Sequence, residues 1–435
     1  MPTPSLLIVP ARFKSGKLYS QIPTSGAGDF TVTRATTATR VNASGLIESV
    51  ASGIPRLDYF SSDGTVGCPA LLVEPSAQNL VFHSSDWTSN WNAGTTSGTT
   101  VVTNSAISLA PDGTATANEI YPTSGNTNHL RTSNSTTAVT YVSGTVYTQS
   151  AFFKAGIGVG IQVQLNNPAA RFSQSGYANF DLIAGTVLVV SGTTADTNRA
   201  ARIENYGNGW YRCSYSATCN SAGTAVGVIA NLIAASGDTR SPSFSGTVTD
   251  YLLAWGAQLE TGSVATSYIP TTTAAVTRNA DLIFTSGAVS GSIGQTQGTL
   301  YAEVDVKNLT NGTRIFAISD GTQANRIALL FNTTNRIRLL ATVTSATQAD
   351  INTATNQPAG IYKIAVAYAL NDYALYINGE QIGTDATALV PACSSVFLGT
   401  LETGSGLSSL NDRILDAALY TTRLSNAELA ALTSL

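Results

Sequence analysis

Charge is scarce in this sequence. Only 11% of its 435 residues are Asp, Glu, Lys or Arg, less than half the usual share in a globular protein. The surface must therefore be dressed mainly with Thr, Ser, Asn and Gln. The net charge is −4 and no block of Lys or Arg occurs. That removes the basic footprint of a DNA or RNA binder, and no nucleic-acid partner is expected. Long apolar runs are missing too, so no membrane-spanning helix is expected. The apolar stretch from Leu6 to Val9 has no basic residue before it and is interrupted by Pro10. It does not read as a signal peptide.

Histidine occurs twice, as His83 and His129. A Ser-His-Asp triad would need one of them, yet neither stands in a supporting motif and no G-x-S-x-G is present. Histidine-rich metal ligation lacks its donors for the same reason. The four cysteines, Cys68, Cys213, Cys219 and Cys393, form no C-x-x-C, which argues against a zinc ribbon or a thioredoxin-like site. Cys213 and Cys219 on one strand would lie ~20 Å apart, too far for a disulfide. Four buried free thiols are expected, and no cofactor.

What is abundant is strand signal. Residues 145–153, 161–165, 185–190, 300–306, 336–343 and 362–369 are short runs rich in Val, Ile, Tyr, Phe and Thr, bounded by Gly, Asn or Ser. Helical periodicity is nearly absent except at the end, where Ser425 and Glu428 have the spacing of a capping box. Leu429 and Leu432 then share one face of a short helix. Asn378-Gly379 marks a tight hairpin turn between strands bearing Tyr373 and Tyr376. The fold class is all-β: a small N-terminal β module over residues 1–83, then two β-sandwich (jelly-roll) domains, 84–284 and 298–435, and a short C-terminal helix. Residues 285–297, rich in Gly and Ser, read as a flexible joiner.

The runs FTVTRATTATRVNASGLIESVASGIPRLDY (30–59) and CPALLVEPSAQNLVFHSSDW (68–87) resemble the N-terminal module of bacteriophage virion proteins of the tail-fibre or head-fibre type. One departure is Ala77-Gln78, where the commonest form has Arg-Thr. ENYGNGWYRCSYS (204–216) and YLLAWGAQLETGSVATSYIPTTTAAVTRNAD (251–281) are similar to the middle domain of such proteins. The resemblance implies a carbohydrate-module-like sandwich there. The last domain, with GTLYAEVDV, ALYINGEQIGT and RILDAALYTTRLSNAELAAL, resembles a concanavalin A-like (laminin-G-like) sandwich.

Candidate residues follow. Arg34, Arg40 and Arg56, with Glu48, Asp58 and Glu74, either form ion pairs inside the first module or present it to the particle. Trp87 and Trp91, in a loop-like stretch, either stack on a sugar or pack in the core or at the rim of a sandwich. Trp210 and Trp255 read as core. Glu303 and Asp305 alternate onto one strand face, and glycoside hydrolysis needs a carboxylate pair. The resemblance to the concanavalin A-like fold implies a further comparison: some glycosidases of that fold carry a third acid on such a strand, Glu-x-Asp-x-(x)-Glu, where Asn308 stands here. The turn pairs Asp320-Gly321, Asn371-Asp372 and Asn411-Asp412 offer oxygen ligands suited to calcium, but Asx residues are also ordinary turn formers. No metal site is expected.

The expected function is that of a non-enzymatic virion surface protein: a tail fibre, spike or head fibre adhering to host surface glycans. The resemblance implies other virion proteins as partners and a homo-oligomer, a trimer by analogy with fibres. A ligand-free capsid decoration protein is the alternative, and a polysaccharide depolymerase the second.

Overall fold

Short β-branched and aromatic segments become strands throughout the computed structural model, which describes residues 2–61, 63–92, 98–134, 136–165, 171–172, 176–192, 197–286, 289–307, 312–406 and 408–435. Every strand expected from the sequence forms; residues 145–153, for example, overlap Val146–Ile157. Period-two burial is visible in Phe30–Thr33, where Phe30 and Val32 are buried and Thr31 and Thr33 exposed. This is the pattern of a strand with one face on a core.

The middle sandwich has two six-stranded sheets. One runs Thr99–Val102, Asn118–Pro122, Tyr251–Thr261, Val146–Ile157, Trp210–Thr218, Ala200–Asn205. The other runs Trp91–Asn92, Leu130–Ser133, Val228–Ile233, Gly160–Leu165, Tyr177–Asp181, Thr186–Ser191. Between them Phe153, Tyr215 and Leu259 meet Ile161, Val163, Phe180 and Leu232. Trp210 and Trp255 are buried, as expected, in a satellite cluster with Phe152 and Tyr268.

The C-terminal sandwich is built from both ends of the chain. Leu6–Ile8 and Ala70–Val73 pair along one edge of Asp412–Tyr420, and Leu57–Asp58 adds to Ala70–Val73. On the opposing sheet, Phe30–Thr33 pairs with Leu282–Ser286, which pairs in turn with Ser395–Leu398. Residues 1–83, expected as a module of their own, thus supply Leu6, Ile8, Leu18, Phe30, Val32, Leu57, Leu71 and Val73 to the core of the last domain. The physical reason is that their apolar side chains need a core and their backbone groups a pairing partner, and the sheets of the last domain supply both. The hairpin Ala38–Val41/Ile47–Val50 forms a two-stranded sheet of its own. The expected joiner differs as well. Leu282–Ser286 reaches into it as a strand, and Val289 and Ile293 are core residues.

The helix Asn426–Thr433 carries the capping box read from the sequence: Ser425 caps the helix and Glu428 reaches back to it. Leu429 is fully buried against Tyr301, Tyr376 and Tyr420. Asn378 and Gly379 both have positive φ, 50° and 87°, the conformation a type I′ turn requires. All four thiols are free. Cys213, Cys219 and Cys393 are buried, but Cys68 is exposed, contrary to expectation, because it lies outside the strand that begins at Ala70.

Each of those eight N-terminal side chains contributes ~1.5–3 kcal/mol by burial, together comparable to or above the ~5–15 kcal/mol net stability of a typical domain. A chain lacking residues 1–83 is therefore expected to lose the C-terminal sandwich. Far-UV circular dichroism and dye binding of residues 84–435 would check this. A soluble form with full strand content and no exposed apolar surface would contradict it.

Candidate functional site

Three of the charged residues singled out in the sequence, Arg34, Arg56 and Glu74, come together, but underground. Arg56 is fully buried. It donates to Thr39 O (3.1 Å), Glu74 Oε2 (2.6 Å) and Ser267 Oγ (2.9 Å), and pairs closely with Asp281. Arg34 reaches Asp281 Oδ1 at 2.8 Å and donates to the carbonyls of Thr36, Val50, Ala51 and Ile54. Arg278 Nη1 lies 2.7 Å from Glu74 Oε2 without donating along that line, while its Nη2 donates to Pro75 O at 2.9 Å. Glu74 accepts from Ser267 N and Oγ at 2.6 and 2.7 Å. Three guanidiniums and two carboxylates thus share one buried pocket, joining residues 34–74 to residues 267–281.

Burial alone would raise the Glu74 carboxyl. Arg278, Arg56 and the bonds from Ser267 overcome it and hold the group well below the ordinary carboxylate range. Burial likewise works against the Arg56 charge, and Asp281 and Glu74 more than offset it. Arg278 and Arg34 are lowered, burial being the larger effect.

Asp58 is also buried. It accepts from Val41 N at 2.8 Å and lies 3.4 Å from Arg413. Arg40 and Glu48 are paired at 2.7 Å across the hairpin and are half-buried. Of the six residues read as a possible docking surface, four are therefore sealed inside, and only this pair reaches solvent. The cluster also enlists Arg278 and Asp281, which had no assigned role.

Beside the cluster a cleft is lined by Thr39, Phe60, Glu204, Tyr206, Arg212 and Lys307. Lys307 Nζ sits 3.7 Å from the Phe60 ring centre and 3.6 Å from Glu204. The open space is about 40 Å³. At ~10–15 Å³ per water it suits a few waters, not a sugar ring.

Trp87 and Trp91 are not a sugar platform in this structure. They are 0% and 5% exposed and stack on each other at 4.2 Å, with Phe153 edge-on to Trp87. Their rings fill the core of the middle sandwich, as the packing alternative had it. Trp91 Nε1 donates to His83 O at 3.2 Å. His129 is buried, its ring nitrogens on Gly98 O and Phe244 O.

The acidic strand divides its two carboxylates. Asp305 pairs with Arg413. Glu303 stands in register with Asp416 on the neighbouring strand, and Tyr301 Oη donates to it at 3.4 Å. Burial, helped by the Glu303 charge, pushes the Asp416 carboxyl up to about 6. Asn308 lies outside the described residues. The calcium candidates serve as turn or ion-pair groups. Asp320 accepts from Thr322 and Asn325, Asp372 from Arg423, and Asp412 from Lys307 N. Among the described residues, no three His, Cys, Asp or Glu are placed to share a metal ion.

The sequence profile of the Concanavalin A-like lectin/glucanases superfamily matches residues 274–430. No curated protein matches the chain. Among solved structures, the CBM40 of the Ruminococcus gnavus IT-sialidase, bound to alpha2,3 sialyllactose, is similar at 20% identity and TM-score 0.30, over 34% of this chain and 88% of that one. Domain 4 of AbnA, a GH43 extracellular arabinanase from Geobacillus stearothermophilus in complex with arabinotriose, is similar at 17% identity and TM-score 0.30, over 39% and 82%. A SAP-like pentraxin from Limulus polyphemus follows at 16% identity and TM-score 0.25, over 32% and 70%. At TM-scores this low they are likenesses of part of the chain and no more.

The cluster makes stability pH-dependent. The folded Glu74 pKa is depressed, so its stabilisation is complete above the ordinary Glu value of 4.5. It is lost as pH falls toward the folded value. Glu74→Gln leaves Arg56 and Arg278 buried beside a neutral amide and should cost about 3–5 kcal/mol at pH 7. The stability lost between pH 5 and 3 should then be smaller than in the parent chain. Urea unfolding at pH 7, 5 and 3 reads both effects; unchanged midpoints would contradict the assignment.

Proposed function

We propose that this chain is a non-catalytic surface protein of a bacteriophage particle, a tail fibre, spike or head fibre, that binds carbohydrate on the host. The particle assignment draws on the sequence motifs of residues 30–87 and 204–281. The binding assignment draws on one observation: residues 274–430 fall within a lectin and glucanase superfamily. In this reading the chain assembles with other virion proteins and as a homo-oligomer. Arg40 and Glu48, the half-exposed pair of the first segment, are the members of the charged set still able to meet a partner.

One observation favours hydrolysis as a second reading. Glu303 and Asp416 face each other across adjacent strands, where side chains stand ~5 Å apart. From such opposed positions two carboxyl groups can reach the ~5 Å separation that retaining hydrolysis uses. Neither lines a cleft described above, whereas binding needs no such pair.

Immunogold labelling of intact particles with an antibody to this chain, together with a glycan array probed with the purified protein, tests the proposal. The expected result is label on the tail tip or head surface and saturable retention of at least one glycan, with no reducing ends released. Particles without label would overturn the virion assignment, and an array without retention the binding one. Reducing ends that disappear on Glu303→Gln would replace binding by hydrolysis.

A further inference from the structure

The strand Val228–Ile233 is buried along its whole length. Val228, Ala230 and Leu232 point into the core of the middle sandwich, so Ile229, Asn231 and Ile233 face the other way. On that outer face Asn231 stands in register with Gln162, and Gln162 with Asn179. Three carboxamides therefore lie side by side on three strands. Gln164 follows two residues after Gln162, on the same face. All four are at most 1% exposed.

Residues 234–245 cover them. Asn179 Nδ2 donates to Ser236 O (3.0 Å) and Asp238 O (2.8 Å). Gln162 Nε2 donates to Thr239 O (3.0 Å), and its Oε1 accepts from Ser241 N (2.8 Å). Gln164 Nε2 donates to Ser241 Oγ (2.9 Å). The cover is tied down at its far end by pairing of Ser243–Ser245 with Asn126–Asn128 and by His129 on Phe244 O. Its near end is thin: Ala234, Ala235, Ser236, Gly237 and Thr239 are exposed. There it borders a cleft of about 310 Å³ lined by Gly160, Asp181, Ile183, Ile233 and Ala234, at the small end of ligand pockets.

Asn231 takes no part in this. Both its Nδ2 and its Oδ1 are buried, and among the described residues neither has a hydrogen-bond partner. A carboxamide so placed bears its full desolvation penalty. A solely structural role would be served as well by an apolar side chain of the same size.

We propose that this face is a binding site for a neutral glycan, and that residues 234–245 are a cover the glycan displaces. Each carboxamide offers a donor and an acceptor side by side, which suits the hydroxyls of a sugar ring. The cover's carbonyls and the Ser241 hydroxyl hold the positions those hydroxyls take, and Asn231 is the group the cover leaves unmatched. The row across the sheet reads Leu130, Asn231, Gln162, Asn179, Val189. It holds no carboxylate, ammonium or guanidinium, so an acidic sugar gains no ion pair there.

The inference rests on the carbohydrate-binding reading above and gives it a place in the middle sandwich. Calorimetric titration of the full chain with neutral pentasaccharides of glucose, galactose and mannose tests it, with a sialylated pentasaccharide for comparison. Asn231→Leu should leave the melting temperature unchanged or higher and weaken binding of the preferred neutral glycan about tenfold, the worth of one good hydrogen bond. Ser241→Ala, a change on the partly exposed cover, should tighten binding roughly two- to fivefold by loosening its hold on Gln164. Parent-like affinity in both variants would overturn this site and leave carbohydrate binding to another face. Preference for the sialylated glycan would overturn the neutral class. A parent chain that binds none of the sugars would overturn the site, and an empty glycan array as well would end the general reading.

Discussion

Five buried charges hold the two sandwiches in one arrangement. Arg34, Arg56 and Arg278 surround Glu74 and Asp281, and no member is satisfied by its own neighbours in sequence alone. A buried pair of this kind adds little over an apolar pair of equal size, but removing one partner costs about 3–5 kcal/mol. That asymmetry favours specificity. The first segment has one seat, against residues 267–281, where every charge is met. With it seated, Leu6–Ile8 and Ala70–Val73 line up on Asp412–Tyr420, and Phe30–Thr33 on Leu282–Ser286.

Much of the fold was legible because strands and caps are local. The alternation in FTVT, the capping box at Ser425 and Glu428, and the Asn378-Gly379 turn each speak through a few residues. The seating of the first 83 residues was not legible, since pairing of Leu6 with Leu419 is a contact across nearly the whole chain. Nothing in LLI says which edge it completes. The charged residues were legible as candidates for ion pairs, but Arg34, Arg56, Asp58 and Glu74 look the same on paper whether they face water or a buried partner. Of the two alternatives open for Trp87 and Trp91, the structure takes core packing. A stretch dense in Ser, Thr and Asn reads as loop, yet its two large rings are long enough to turn inward and stack.

The carboxamide face left a faint trace. Gln162 and Gln164 alternate with Ile161, Val163 and Leu165, the usual sign of a strand with one wet face. Asn231 interrupts the otherwise apolar VIANLI. The structure adds what periodicity cannot supply: the wet side is roofed, and one amide under the roof is unmatched. Low surface charge and a concealed uncharged polar face are consistent with a protein that recognises hydroxyls more than ions.

The central claim is that the buried charges weld both sandwiches into one cooperative unit. All four tryptophans, Trp87, Trp91, Trp210 and Trp255, lie in the middle sandwich, so their fluorescence reports that sandwich alone, whereas far-UV circular dichroism reports strands everywhere. Equilibrium urea unfolding at pH 7 followed by both signals is the direct test. Coincident curves that separate in Asp281→Asn are the predicted result. Two separate transitions in the parent chain would contradict the account.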